Sequence, residues 1–211
     1  RQEQIPAYSF VPQGITDENG TEFASKEYYD PLDMEGNIAK AKELLKEAGY
    51  ENGEGIPTIE VMYNSEGVHK EIAQIIQQNW EKIGVNVELT NQEWAVFLNT
   101  RQQGDYQIAR HGWTGDYIDP MTFLDLWVTG GGNNDTGFSN ARYDELIAAA
   151  KVETDSVKRN EMLREAEDIL MDEMPILPIY YYTTVTAANE NVKGVQISTL
   201  GKISFKHAYK E

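Results

Sequence analysis

The chain has 211 residues, 40% of them hydrophobic and 25% charged, enough to bury a core without disulfide or metal staples. Acidic residues outnumber basic ones 35 to 18, a formal net charge of −17, which argues against nucleic acid or an anionic membrane as a partner. Cysteine is absent, so thiolate catalysis, disulfide scaffolds and cysteine-ligated zinc are excluded, and no apolar run approaches the ~20 residues of a membrane-spanning helix.

Residues 1–36 are punctuated by Pro6, Pro12, Gly14, Gly20, Pro31 and Gly36 and read as irregular. The opening carries no initiator Met and no signal segment, and Ile5 to Pro12 reads as a connecting strand, as expected of a fragment. Asp17-Glu18-Asn19-Gly20 lacks the ligand spacing of a calcium loop and reads as a surface turn. Ile38, Ala41, Leu44, Leu45 and Ala48 recur at helical spacing, predicting a helix over 37–48 with Asn37 as its cap and Gly49 as its left-handed stop.

A strand–helix–strand unit follows. Residues 58–63 alternate, with Ile59 and Val61 on one face and Glu60 and Met62 on the other. Residues 69–83 have helical spacing, closed by Gly84, and Val85, Val87 and Leu89 mark a second strand, expected to be parallel to the first. A short helix is predicted near 93–102 and a strand over 106–112. Helices are predicted over 141–152 and 157–173, with Asp155 and Ser156 as caps, Met162, Leu163, Ala166, Ile169 and Leu170 as the buried stripe, and Pro175 as the stop. Residues 176–183 read as a strand, and the tail from Val185 alternates without helical spacing. The class is α/β, with a mixed central sheet flanked by helices.

Motifs of chemistry are sparse. Gly130-Gly131-Gly132 lacks the Lys-Ser/Thr of a phosphate loop and reads as a flexible loop. His69, His111 and His207 are scattered, so no metal ligands are expected, and no Ser sits in a Gly-x-Ser-x-Gly elbow. Asp116 and Asp119 are spaced so that they could serve as general acid and base, the one opening for a carboxylate-based hydrolase. The expectation is no catalytic residues, no cofactor and no enzyme activity.

Gly112-Trp113-Thr114-Gly115-Asp116-Tyr117-Ile118-Asp119-Pro120, with Phe123-Leu124 after it, resembles the signature of the oligopeptide- and dipeptide-binding family of ABC-transporter solute-binding proteins, bacterial extracellular family 5. Pro6 to Pro12, the Ala41-Lys42-Glu43-Leu44-Leu45-Lys46-Glu47-Ala48-Gly49-Tyr50 helix, Ile83 to Val87 and Pro175 to Tyr180 resemble other segments of the family in the same order. The resemblance implies the second lobe of a type II periplasmic-binding-protein-like receptor. Residues 1–186 are then the ligand-binding lobe, and 187–211 a tail that would return to a missing first, N-terminal lobe. Without that lobe the tail is expected to pack loosely or to pair with a neighbouring chain.

The implied function is capture of an oligopeptide outside the membrane, in the periplasm or at a lipid-anchored outer face, and delivery to an ABC permease. Asp116 is implied as the partner of the ligand's free α-amine, where a charge-assisted hydrogen bond is strong. Trp113 is implied as an aromatic wall, and the backbone of Gly112 and Thr114 as the edge on which the peptide adds a strand. Arg110, Arg101 and His69 are implied around the ligand's later residues and carboxylate. The same fold with another solute (a nickel chelate, haem, a sugar or a signalling peptide) is the main alternative, and the hydrolase is the lesser one.

Overall fold

The computed structural model describes residues 4–17, 19–24, 26–198 and 200–211. The chain divides into two compact units, Leu32–Gly112, and Arg1–Pro31 with Trp113–Glu211. Each is described by itself.

In the Leu32–Gly112 unit, helix α1 (Met34–Glu47) begins three residues before the predicted start. The cap is Asp33, not Asn37: the Asp33 carboxylate accepts the Gly36 N–H at 2.9 Å, and acidic Glu35 follows in the first turn, where negative charge suits the helix dipole. Gly49 takes the expected left-handed turn at φ +86°.

Strand β2 (Ile59–Asn64), helix α2 (His69–Glu81), strand β3 (Val87–Gln92), helix α3 (Trp94–Gln102) and strand β4 (Ile108–Ala109) complete the unit. The sheet is parallel in the order β3-β2-β4. Val61, Met62, Tyr63 and Asn64 are all buried, so the alternation expected along β2 gives way to a central strand covered on both faces. The strand predicted over 106–112 shortens to β4, although the Arg110 N–H still donates to the Met62 carbonyl at 2.8 Å.

Gly84, predicted to close α2, does so at φ +87°, where a Cβ would collide with the backbone carbonyl of Asn52. Strain at positive φ and the collision add up, so Gly84→Ala should cost about 3 kcal/mol. A urea titration of the two proteins measures it as a lowered midpoint at unchanged slope.

In the other unit, strand β1 (Ile5–Pro6) pairs antiparallel with β5 (Tyr180–Tyr181). The latter is all that remains of the strand expected over 176–183, where Pro175 and Pro178 cannot donate to a ladder. A short helix α4 (Met121–Leu124) runs into a 3-10 turn (Asp125–Trp127), and helices α5 (Ala141–Ala150) and α6 (Ser156–Glu173) pack beside it. Asn140 caps α5, and Asp155 caps α6 through the N–H groups of Val157 and Lys158. Their apolar faces meet Val11, Phe23, Leu124 and Trp127 in one core cluster.

Leu163, Ala166 and Leu170 are buried on α6 as expected, and so is Glu167, only 3% exposed. One carboxylate oxygen of Glu167 accepts the N–H groups of Phe10 and Val11 at 3.1 and 2.8 Å, tying the N-terminal segment to α6. The triple-glycine segment is a stitched loop. The Asn134 amide donates to the carbonyls of Trp127, Val128 and Phe138 at 3.2, 3.1 and 2.8 Å.

At the turn over 17–20, the Asp17 carboxylate is engaged by the N–H groups of Asn19 and Thr21, both at 2.9 Å; Glu18 lies outside the described residues. The tail pairs with itself. Strands β6 (Val192–Lys193) and β9 (Tyr209–Lys210) form one antiparallel ladder, and β7 (Gln196–Ile197) and β8 (Ile203–Ser204) another, all of them exposed. The alternation read around Ile197 and Ile203 is a hairpin register.

Candidate functional site

Of the seven residues singled out in the sequence, Trp113, Thr114 and Asp116 fall in one unit and His69, Arg101, Arg110 and Gly112 in the other. The first three lie on an irregular loop leading into α4. Its base is fixed by three attachments. The indole of Trp113 packs on the core cluster that includes Phe123 and Leu124. The Asp116 N–H donates to the hydroxyl of buried Thr122 at 3.0 Å. Gly115 lies so close that a Cβ would sit 3.1 Å from both the Phe123 ring and the Thr122 methyl.

Asp119 makes the third attachment. Its oxygens accept both terminal nitrogens of Arg159 at 2.9 and 2.8 Å, and one of them also accepts the Met121 N–H at 2.8 Å. Arg159 in turn donates to the Ala150 carbonyl at 3.1 Å, so the loop is bolted to the ends of α5 and α6. The hydrogen bonds that Arg159 donates to Asp119 raise its pKa further above the ordinary value. Asp119 is therefore a structural anchor, not the free acid or base that hydrolysis with Asp116 would need.

Between these anchors, Thr114, Asp116, Tyr117 and Ile118 are exposed. The Asp116 carboxylate forms no hydrogen bond or ion pair among the described residues, although its backbone is held. A carboxylate on a pinned loop with no internal partner is ready for a cation from outside the fold. Thr114 lies in an irregular stretch outside any strand.

In the Leu32–Gly112 unit, His69 is the first residue of α2, beyond the four-residue turn that follows β2. Arg110 leaves the carboxyl end of β4, and the two are close enough to interact. Burial lowers the His69 pKa and the charge of Arg110 lowers it further, while the Asn64 carbonyl and Glu66 pull weakly the other way. The net shift favours the neutral ring. The guanidinium of Arg110 folds back over Gly112, where a Cβ would stand 2.9 Å from its terminal nitrogen. Arg101, in the last turn of α3, lies 5.8 Å from the centre of the Phe97 ring, a cation–π contact.

The sequence reading missed Asn64 and Gln92. Asn64 is 1% exposed, and its side-chain oxygen has no hydrogen-bond partner among the described residues. The same holds for the side-chain oxygen of Gln92 and for Nδ1 of His69. A polar residue ending each of two adjacent parallel strands was the available signal, hidden by the turn-like runs Asn64-Ser65 and Asn91-Gln92-Glu93.

Residues 1–135 match the family described as bacterial extracellular solute-binding proteins, family 5. The chain belongs to that family. It is 41% identical over 209 residues to the oligopeptide-binding protein OppA of Bacillus subtilis, covering 98% of this chain and 38% of that protein. The dipeptide-binding protein DppE of the same organism is 39% identical over 207 residues, covering 97% of this chain and 38% of DppE. Among solved structures, Burkholderia pseudomallei OppA superposes with a TM-score of 0.77 at 32% identity, over 91% of this chain and 37% of that one. The α/β fold is thus shared with peptide-binding members of family 5, and the chain spans about two-fifths of the length of the curated relatives it matches.

Proposed function

We propose that this family 5 chain supplies peptide-binding surface to an extracytoplasmic receptor, lodged in the periplasm or lipid-anchored at the outer face, that delivers oligopeptides to an ABC permease. The observation that carries the reading is the exposed Asp116 carboxylate, unpartnered within the fold on a loop that Thr122 and Asp119 hold in place. A peptide's free α-amine is the natural counter-ion, and the net charge of −17 adds a mild general preference for cations.

In the same unit Thr114 offers backbone for strand addition and Trp113 an aromatic face; in the Leu32–Gly112 unit Gly112 offers backbone, and Arg110, Arg101 and His69 serve the ligand's later residues and carboxylate. Residues 1–186 act as the binding lobe. The tail over 187–211 returns to a first lobe encoded outside this chain, and closure of that lobe traps the peptide. The names of the relatives, oligopeptide- and dipeptide-binding proteins, support a peptide over other solutes. The bolting of Asp119 supports capture over hydrolysis.

Native mass spectrometry of the full-length protein that carries this chain, mixed with tri- to hexapeptides, tests the proposal. Intact peptide should be retained. Peptide returned cleaved, or none retained, would overturn it.

A further inference from the structure

An aspartate in an exposed loop has a default use for its carboxylate. It accepts the N–H groups two and three residues further on, closing a turn and satisfying the carboxylate internally. Asp116 departs from that default, since its carboxylate forms no hydrogen bond or ion pair among the described residues. The loop withholds the donors. The Asp119 N–H goes to the Tyr117 carbonyl at 3.1 Å, Pro120 has no N–H, and the Met121 N–H goes to the Asp119 carboxylate at 2.8 Å. That leaves the Ile118 N–H, which the carboxylate meets only where the Asp116 backbone is free to bend toward it.

Thr122 denies that freedom. It is 2% exposed, on α4 between the buried residues Met121 and Phe123. A hydroxyl in such a place costs stability unless it is hydrogen-bonded, and valine would fill the same volume without that cost. The bond it makes is to the loop: its oxygen accepts the Asp116 N–H at 3.0 Å, across six residues. Its methyl completes the grip. A Cβ on Gly115 would sit 3.1 Å from that methyl, so the backbone just before Asp116 lies against the same side chain.

We propose that Thr122 is a positioning residue for peptide capture: its hydroxyl, through the Asp116 N–H, keeps the Asp116 carboxylate uncommitted and available to a ligand's ammonium group. The inference rests on the proposed pairing of Asp116 with the peptide's α-amine, and it adds a residue that acts without touching the ligand. An acceptor already in place meets the amine without first giving up an internal bond or ordering its loop, and the advantage shows as affinity for the amine alone.

The test is titration calorimetry of the full-length protein with trialanine and N-acetyl-trialanine. Thr122→Val keeps the shape and removes the acceptor, whereas Thr122→Ser keeps the hydroxyl and removes the methyl. Thr122→Val should bind trialanine about fivefold more weakly, the worth of one neutral hydrogen bond, with N-acetyl-trialanine within about twofold of wild type. Thr122→Ser should hold both peptides within about twofold of wild type. In an Asp116→Ala background, Thr122→Val should add less than about twofold, because the group it positions is gone. Thr122→Ala removes the same hydroxyl and serves if the valine variant misfolds. No weakening by Thr122→Val, equal weakening of both peptides, or a loss in Thr122→Ser as large as in Thr122→Val overturns the inference and leaves Thr122 a packing residue. A loss that persists in the Asp116→Ala background does the same. Wild-type protein that binds the two peptides equally removes Asp116 as the amine partner, and this inference with it, but leaves peptide binding standing. Failure to bind either peptide overturns the peptide reading itself.

Discussion

Asp116→Ala should weaken binding of a free-amine tripeptide to the full-length protein by about thirtyfold, and leave its N-acetylated counterpart bound as before. The magnitude follows from a hydrogen bond to a charged group, worth about 1.5–3 kcal/mol, or a factor of about 10 to 150. The fold itself should not register the change. The carboxylate makes no internal hydrogen bond or ion pair among the described residues, and the backbone N–H that does bond, to Thr122, is kept by alanine. Titration calorimetry with the two peptides, alongside a melting curve, separates the outcomes. Equal loss for both peptides, or a lowered Tm, would mean that Asp116 shapes the loop and does not meet the amine.

Glu167→Ala should be among the most destabilising single changes in the chain, by about 2–5 kcal/mol at pH 5. It strips the acceptor from the N–H groups of Phe10 and Val11 in a buried setting, at about 1–3 kcal/mol for each donor left unpaired. Glu167→Gln keeps an acceptor and should cost much less. The pH dependence has a definite sign. Burial raises the Glu167 pKa to about 7, while the bonds from Val11 and Phe10 oppose the rise; an unfolded glutamate titrates near 4.5. Between those values the folded state holds the proton more tightly, so stability falls as pH climbs. The contribution is fully present below pH 4.5 and is lost as pH rises through 7, a span of about 3 kcal/mol. Urea midpoints of wild type and Glu167→Gln across that window should converge as pH rises, the wild-type slope being the steeper.

Legibility in the sequence followed the length scale of the interaction. Helices α1, α2, α5 and α6 and strands β2 and β3 were readable because apolar spacing and caps are local, and Asp155 and Gly49 do what local rules assign. Errors arose where the deciding contact follows no helical or strand spacing, whether near or far along the chain. Asn134 turns a glycine run into a stitched loop through carbonyls before and after it, and Pro178 confines a hydrophobic run to two paired residues. Glu167 was not singled out, because nothing near it in sequence announces the Phe10 and Val11 donors. The loop bearing Asp116 could be picked out from its motif, but the anchoring role of Asp119 required Arg159, which no spacing rule connects to it. Asn64 and Gln92 were missed for the opposite reason. Amides at strand ends look like turn formers, and only their shared register and burial mark them out.

The division of the chain also sets an order of events on the ribosome. Leu32–Gly112 is one uninterrupted stretch, whereas the other unit is made of Arg1–Pro31 and Trp113–Glu211. The first stretch can close its sheet as soon as β4 emerges. Phe10 and Val11, though synthesised earlier, must wait for Glu167, 157 and 156 residues downstream. At about 5–20 residues per second, that wait lasts on the order of ten seconds, with an apolar Phe10-Val11 segment in search of its core. Contacts of such long sequence separation are slow to form, so the late-finished unit governs the folding rate and is the one most in need of chaperone cover.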